Sequence, residues 1–206
     1  MRLDHVSYAC APGELAEVVQ RIGSELGAAF VDGGIHPSFG TRNFILPLAH
    51  GVYVEVVAAL DHPAAEKAPF GRAVRHRADE GGGWLGWVVA VDDIAPVERQ
   101  LGRASVSGHR IRPDGTELRW RQIGILDLLD DPQVPYFIEW QTNECHPATG
   151  GGPLELASIE LNGDPETLKS WLGSIEVPTQ ITWVNDDEPG IVACGFQTPR
   201  GFVRID

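Results

Sequence analysis

The order strand, helix, strand, strand, strand recurs along this chain, and this repetition constrains the fold more than any other feature. Residues 3–9 alternate as a half-buried strand does, and residues 13–26 carry apolar side chains at helical spacing before a stop at Gly27. Three further strands are predicted at 28–32, 42–48 and 51–58, with a turn at Gly33-Gly34. The first part of the chain is therefore predicted to form a βαβββ module.

The same order returns later in the chain. Residues 84–91 form an apolar strand pattern, residues 94–101 a short helix, and three strand patterns follow at 109–112, 117–123 and 136–141. A less clear version of the same element order follows the glycine run at 150–152. The predicted divisions are a first module at 1–60, a linker at 61–83, a second module at 84–147 and a C-terminal βαβββ-like extension at 148–206. We expect an α+β fold, with tandem βαβββ modules forming a curved mixed sheet around a small-molecule cup.

Equivalent strand positions in the two modules indicate a set of candidate site residues. Tyr53-Val54-Glu55 aligns with Phe137-Ile138-Glu139, so each module has a carboxylate inside an apolar strand. In the first strands, His5 aligns with Trp87. Because side chains alternate along a strand, we expect His5, Glu55 and Glu139 to converge in the cup. Trp87 shares the face of this strand position and is a candidate apolar wall of the cup, with packing in the core as the alternative. The alternative interpretation makes His5 a hydrogen-bonded core histidine and pairs the glutamates with arginines.

The segment HPSFGTRN, residues 36–43, is rich in polar groups close to the predicted cup. His36 is expected in a loop at the mouth of the cup, where it would be a general acid or base or a further metal ligand. The alternative is a structural role for His36 in the turn. Thr41, Arg42 and Asn43 are candidates for binding substrate oxygens, and an arginine would suit a carboxylate or phosphate. Asn43 has the alternative role of satisfying backbone groups at a strand edge.

Five sequence blocks carry a resemblance to a known family. They are LDHVSYA at 3–9, HPSFGTRN at 36–43, YVEVVA at 53–58, PYFIEW at 135–140, and HP at 146–147. Together they resemble the glyoxalase-like domain family of the vicinal-oxygen-chelate superfamily. The resemblance covers residues 1–147, and 154–206 looks like a C-terminal extension of the same family.

The resemblance implies a site and two classes of function. In metal-using members of the superfamily the first and last strands of each module supply the ligands, which points to His5, Glu55 and Glu139 holding divalent Zn, Mn, Fe or Ni. Trp87 cannot ligate a metal, so the chain departs from a four-ligand set. The first function is an isomerase, lyase or dioxygenase acting on a small oxygenated metabolite, with Glu139 and His36 as catalytic residues. The alternative is a metal-free protein that binds or sequesters a small ligand against Trp87.

Charge and composition exclude several other partners. The formal net charge of −13 repels phosphate backbones and anionic lipid, so neither nucleic acid nor membrane is an expected partner. No apolar run approaches the roughly 20 residues that span a bilayer. The three cysteines have no metal-ligating spacing and are typical of reduced thiols, so we expect a cytoplasmic protein. One chain carries enough modules to close a cup by itself. The sequence does not decide between a monomer and a homodimer.

Overall fold

The computed structural model describes residues 2–112, 114–177 and 179–206, with the backbone alone for Asn143. The first module contains β1 (Arg2–Ala9), α1 (Leu15–Leu26), β2 (Val31–His36), β3 (Thr41–Pro47) and β4 (Tyr53–Ala59). The connecting segment contains α2 (Pro63–Lys67) and α3 (Pro69–Asp79). The second module contains β5 (Gly83–Ala90), α4 (Ala95–Leu101), β6 (Val106–Ile111), β7 (Glu117–Ile123) and β8 (Tyr136–Trp140). The C-terminal part contains β9 (Glu155–Asn162), α5 (Pro165–Leu172), β10 (Gln180–Trp183), β11 (Gly190–Thr198) and β12 (Gly201–Ile205).

The two modules share one eight-stranded sheet, in the order β2-β3-β4-β1-β5-β8-β7-β6. Within each module the first strand pairs in parallel with the fourth, and β1 pairs with β5 antiparallel at the centre. The edge strands β2 and β6 approach each other without forming a ladder, so the curved sheet is nearly closed. The predicted α+β class and the curved mixed sheet of tandem βαβββ modules are confirmed.

The C-terminal strands form a separate four-stranded sheet with the order β10-β9-β11-β12. Its element order repeats that of the modules, but β9 lies between β10 and β11 instead of beside the last strand. The sheet packs on the outside of the cup, where the Trp84 indole donates a hydrogen bond to the Ile205 carbonyl over 3.0 Å. No helix in the described part of the chain is long and apolar enough to cross a membrane.

One predicted turn is a strand in the structure. Gly33 and Gly34 were expected to turn the chain, but both lie within β2, which pairs with β3 through a register shift at this point. Gly34 has a φ of 91°, which glycine adopts without steric cost, so the irregularity stays inside the strand. The strand therefore runs on to His36, which was predicted to lie in a loop.

The two faces of the large sheet have different coverings. On the outer face α1 and α4 pack against a core that includes Val6, Val56, Trp87 and Phe137. On the inner face α3 packs against the cup, where the buried side chains of its first turns meet those of β4, β5 and β8. The connecting segment thus covers part of the cup and narrows the space left for a ligand.

Gly71 in α3 tests how closely this helix must approach α2 and the Phe39 carbonyl. An added Cβ would lie 2.7 Å from the Ala65 Cα and 2.8 Å from the Ala65 carbonyl oxygen, both rigid backbone atoms. Gly71→Ala is therefore expected to destabilise the protein by about 1–3 kcal/mol through overpacking. Free energies of unfolding from urea titration measure this effect.

Gly13→Ala is the matched control, because an added Cβ there meets no atom within 4 Å. Stabilisation by Gly71→Ala, the usual result of replacing a helical glycine by alanine, would contradict the close approach of α3.

Candidate functional site

A cavity lies inside the curved sheet, between its inner face and α3. The space free of protein atoms within it, together with open solvent at its entrance, is about 410 Å³. Its lining combines an aromatic wall with converging polar groups: His5, His36, Phe39, Asn43, Tyr53, Glu55, Phe70, Arg110, Trp120, Gln122, Ile125, Tyr136, Ile138 and Trp140. This combination suits a small organic molecule with a few polar atoms.

A bulge in β1 turns two neighbouring side chains toward the cup. Leu3 pairs with Val89 and His5 with Val88, so Asp4 is an extra residue in the ladder. Leu3 then packs in the outer core while His5 lines the cavity, although simple alternation placed both on one face. The bulge brings the Asp4 carboxylate beside the His5 imidazole.

Asp4 is a fully buried carboxylate at the centre of a hydrogen-bond cluster. It accepts hydrogen bonds from His5 Nδ1 at 2.9 Å, His146 Nε2 at 3.0 Å, Trp140 Nε1 at 3.1 Å and Arg2 Nη1 at 2.9 Å. Burial alone would raise the pKa of Asp4, but the bonds from His146 and His5 and their charges hold this pKa well below its usual range. Because an ionised carboxylate only accepts, Nδ1 of His5 carries the proton.

The other nitrogen of His5 belongs to the cavity. Nε2 lies 3.1 Å from the Tyr136 hydroxyl and 3.9 Å from Glu55 Oε2. The imidazole ring stacks on Tyr53, with ring centroids 4.4 Å apart. Burial, reinforced by the nearby carboxylates, raises the pKa of Tyr53 and of Tyr136 well above the ordinary tyrosine value. Both phenols therefore stay protonated, and the Tyr136 hydroxyl is available as a hydrogen-bond donor.

Glu55 begins a second chain of hydrogen bonds, which crosses the cup. Its two carboxylate oxygens accept from Ser7 Oγ at 2.8 Å and Asn43 Nδ2 at 2.5 Å. The Asn43 Oδ1 atom in turn accepts from Arg110 Nη1 at 3.0 Å. A carboxylate only accepts and a guanidinium only donates, so these partners determine the orientation of the Asn43 amide.

Arg110 also determines the protonation state of His36. Its Nη1 lies 2.7 Å from His36 Nε2, which must accept because a guanidinium has no lone pair to offer. The Nδ1–H group of His36 then donates to Thr41 Oγ1 at 3.0 Å. Burial lowers the pKa of His36 well below its ordinary value, and the charges of Arg110 and His5 lower it further. His36 is thus a neutral acceptor that positions Arg110, with neither ring nitrogen free for the expected acid–base role.

Glu139 lies on the opposite face of β8 from the cavity. Its Oε2 accepts from the Ile94 amide at 2.8 Å, at the start of α4, while its neighbours Ile138 and Trp140 line the cavity. The expected convergence of Glu139 with His5 and Glu55 is not met in this structure. The parallel ladders pair Tyr53 with His5 and Tyr136 with Val88, so Glu55 corresponds to Ile138. The alignment of Tyr53-Val54-Glu55 with Phe137-Ile138-Glu139 was therefore one residue out of register. A slip of one residue along a strand moves every side chain to the opposite face of the sheet.

Two other candidates also lie outside the cavity. Trp87 is fully buried in the outer core, and its indole donates to the Gln133 carbonyl over 2.9 Å. Arg42 is partly exposed and forms an ion pair with Asp32 over 2.8 Å. Thr41 acts through His36, so Asn43 is the member of this group that lines the cavity.

The residues present do not fit the expected three-ligand metal site. His5 Nε2 and Glu55 Oε2 are close enough to share one ion, but Glu139 is on the other face of its strand. Within the described residues no group of three His, Cys, Asp or Glu side chains is placed to hold a metal ion. Catalytic zinc sites generally use three protein ligands, and here the group hydrogen-bonded to His5 Nε2 is the Tyr136 phenol.

Sequence reasoning missed several residues of this site. Asp4 had a visible signal, since it is a charged residue beside His5 in an otherwise apolar strand. Tyr53 and Tyr136 lie in the YVEVVA and PYFIEW blocks, but the misaligned register drew attention to Glu139 instead. Nothing in the sequence around Arg110 marked it as a site residue, because it is one of several arginines in and near a short predicted strand.

Comparisons with known proteins describe what the chain is similar to. Residues 3–175 match the family model of the glyoxalase-like domain. No curated protein matches the sequence. A hypothetical protein from Staphylococcus aureus shares the fold at a TM-score of 0.62 and 14% identity, covering 100% of this chain and 85% of that chain. Its coverage extends over both sheets.

Two epimerase structures are less similar. Methylmalonyl-CoA epimerase from Mycobacterium tuberculosis aligns at a TM-score of 0.46 and 19% identity, over 67% of this chain and 85% of that chain. A variant of the Streptomyces coelicolor enzyme, in complex with 2-nitronate-propionyl-CoA, aligns at 0.46 and 16% identity, over 68% of this chain and 96% of that chain.

Asp4→Asn tests the buried carboxylate. Because the folded-state pKa of Asp4 is lowered, its contribution to stability is fully present above the unfolded pKa of about 3.9 and is lost as the pH falls toward the folded value. We expect Asp4→Asn to lower the free energy of unfolding at pH 7 by about 3 kcal/mol, by breaking a buried charged network. Urea titrations of both proteins at pH 7 and pH 3.5 should show a smaller difference at the lower pH.

Asp61→Asn, at an exposed position, is the control and should change stability little. A difference between Asp4→Asn and the parent protein that grows on acidification would contradict the assigned ionisation of Asp4.

Proposed function

Since the chain belongs to the glyoxalase-like domain family, we propose that it is an isomerase-type enzyme acting on a small carbonyl compound in the cup, without a metal. His5 moves a proton on the carbon next to the carbonyl group, and Tyr136 donates a hydrogen bond to the carbonyl oxygen. The hydrogen-bond chain Asp4–His5–Tyr136, which ends at the cavity, carries this proposal.

His5 has the surroundings of a general base. Asp4 holds the proton on Nδ1, so the lone pair of Nε2 faces the cavity. When Nε2 takes a proton, the imidazolium lies between Asp4 at 2.9 Å and Glu55 at 3.9 Å. Both carboxylates are buried, where solvent screens weakly their attraction for the positive charge that proton transfer places on the ring.

Tyr136 supplies the electrophilic partner. Its hydroxyl donates a hydrogen bond to His5 Nε2 over 3.1 Å. A carbonyl oxygen that replaces Nε2 as the acceptor frees the base and places the phenol where negative charge develops on an enolate. The raised pKa of Tyr136 keeps its proton in place for this role.

The cavity wall limits the access of water to this chemistry. Phe39 contacts Phe70 of α3 edge to face, and Trp120 packs beside Trp140 with ring centroids 5.6 Å apart. A low-polarity wall strengthens the hydrogen bonds that the polar residues make to a bound ligand.

The same aromatic wall also favours a second candidate function, a metal-free binding protein without turnover. Trp120 and Trp140 both line the cavity and offer flat faces to a ligand. Proton exchange separates the two candidates, because a binding protein has no need of a base at His5.

Solvent exchange tests the proposed base. Small ketones, aldehydes and 2-oxo acids are incubated with the protein in D₂O, and loss of the proton next to the carbonyl is followed by ¹H NMR. We expect the parent protein to accelerate exchange for at least one compound, and His5→Gln to lower that rate by about 10²-fold or more. Tyr136→Phe should lower the rate by about 10²-fold through loss of one donor to the enolate oxygen.

His76→Gln is the matched control, because His76 lies on the exposed side of α3 and contacts Glu80. Exchange that persists in His5→Gln would refute the assigned base. Binding of compounds without exchange of any of them would favour the binding-protein alternative.

Metal titration tests the absence of a metal from this mechanism. Protein purified without a histidine tag and treated with EDTA is expected to keep its exchange activity and to bind less than one equivalent of Zn²⁺ or Mn²⁺ by calorimetry. The reason is that His5 and Glu55 supply two ligands where a catalytic site generally has three. A one-to-one site that disappears in both His5→Gln and Glu55→Gln would show that a metal belongs here.

A further inference from the structure

Arg110 is a buried cation whose direct partners are all neutral. Its side chain is 3% exposed, and its hydrogen bonds run from Nη1 to His36 Nε2 and Asn43 Oδ1. Among the residues that the structure describes, no carboxylate lies within 4 Å of the guanidinium, since Arg110 is absent from every ion pair. Burying a guanidinium without a paired anion is energetically costly.

The acid nearest to Arg110 in the hydrogen-bond network is Glu55, which is linked to Arg110 through the Asn43 amide. The amide accepts from Arg110 on one side and donates to Glu55 on the other. Glu55 therefore stabilises the charge of Arg110 from a distance, while its own oxygens are held by Ser7 and Asn43. This leaves the Nε and Nη2 donors of Arg110 without an acceptor among the described residues.

Those remaining donors also have contact with open space. Arg42 Nε is the one buried side-chain nitrogen or oxygen without a partner in the described part of the chain, so the unpaired donors of Arg110 are not sealed in protein. Arg110 lines the cavity together with both of its acceptors, His36 and Asn43. A planar guanidinium with free donors beside a cavity is suited to a carboxylate, which can accept two parallel hydrogen bonds.

We propose that Arg110 anchors the carboxylate of the ligand, so that the compounds bound in the cup are small organic acids with an apolar body. This inference rests on the proposed function for the cup itself, but it concerns ligand binding and is independent of proton transfer by His5. The carboxylate lies at Arg110, the apolar body lies along Trp120 and Trp140, and the carbonyl group of an oxo acid lies toward His5 and Tyr136. His36 and Thr41 are positioning residues that hold the guanidinium in place.

Acid and amide pairs of the same shape test the anchor directly. Benzoate, phenylacetate and phenylpyruvate are each titrated into the parent protein beside their uncharged amides, with calorimetry as the measurement. We expect at least one acid to bind at least tenfold more tightly than its amide. Arg110→Met should abolish that preference, and Arg110→Lys should retain part of it, because lysine keeps the charge but loses the planar fork.

Arg42→Gln and Arg112→Gln are the matched controls, since both remove a positive charge from a second groove, which Arg110 also lines and which lacks the other residues of the cup. Both should keep the preference for the acid. The inference is overturned if no acid is preferred over its amide, if Arg110→Met keeps the preference while its circular dichroism spectrum is native, or if either control loses the preference.

His5→Gln separates this inference from the proposed function. The variant should still prefer the acid, because its guanidinium site is intact. Acid-selective binding without proton exchange in the parent protein would refute the proposed function alone. Proton exchange on neutral ketones with no preference for acids would refute the carboxylate anchor alone.

Discussion

Charged side chains buried in an apolar cup need partners, and this constraint shapes the rest of the structure. Asp4, Glu55 and Arg110 are each 4% exposed or less, and each is hydrogen-bonded to residues from other parts of the chain. Asp4 is bonded to His146, Glu55 to Asn43, and Arg110 to His36. A cup that opened or slipped in register would leave these groups without partners in a medium of low polarity.

The same network explains how the curved sheet closes. The edge strands β2 and β6 come together without a backbone ladder, so side chains make the connection. Arg110 on β6 donates to His36 on β2 and to Asn43 on β3. The same contacts therefore close the sheet and assemble the polar site, and they place a cationic group in the wall of the cavity.

The chain has the fold of the glyoxalase-like domain family, but a fold does not determine a reaction. The chemistry depends on the particular side chains in the cup. In this cup, His5 is held between two carboxylates and faces a phenol, while the second module contributes Ile138 at the place that corresponds to Glu55. Such a set of residues suits proton transfer and hydrogen bonding better than a three-ligand metal site. The connecting helix α3 completes the cavity by placing Phe70 at its mouth.

The sequence by itself determined the repeated βαβββ order, the α+β class and most strands, because period-two and helical patterns are local properties of the chain. It also pointed to His5, Glu55 and Asn43, which line the cavity. Tertiary structure alone decided that Asp4 joins His5, that Glu139 faces α4, and that Arg110 reaches across the cup. A single bulge or a one-residue difference in register exchanges the two faces of a strand, and the hydrogen-bond ladders that set them join residues far apart in the chain.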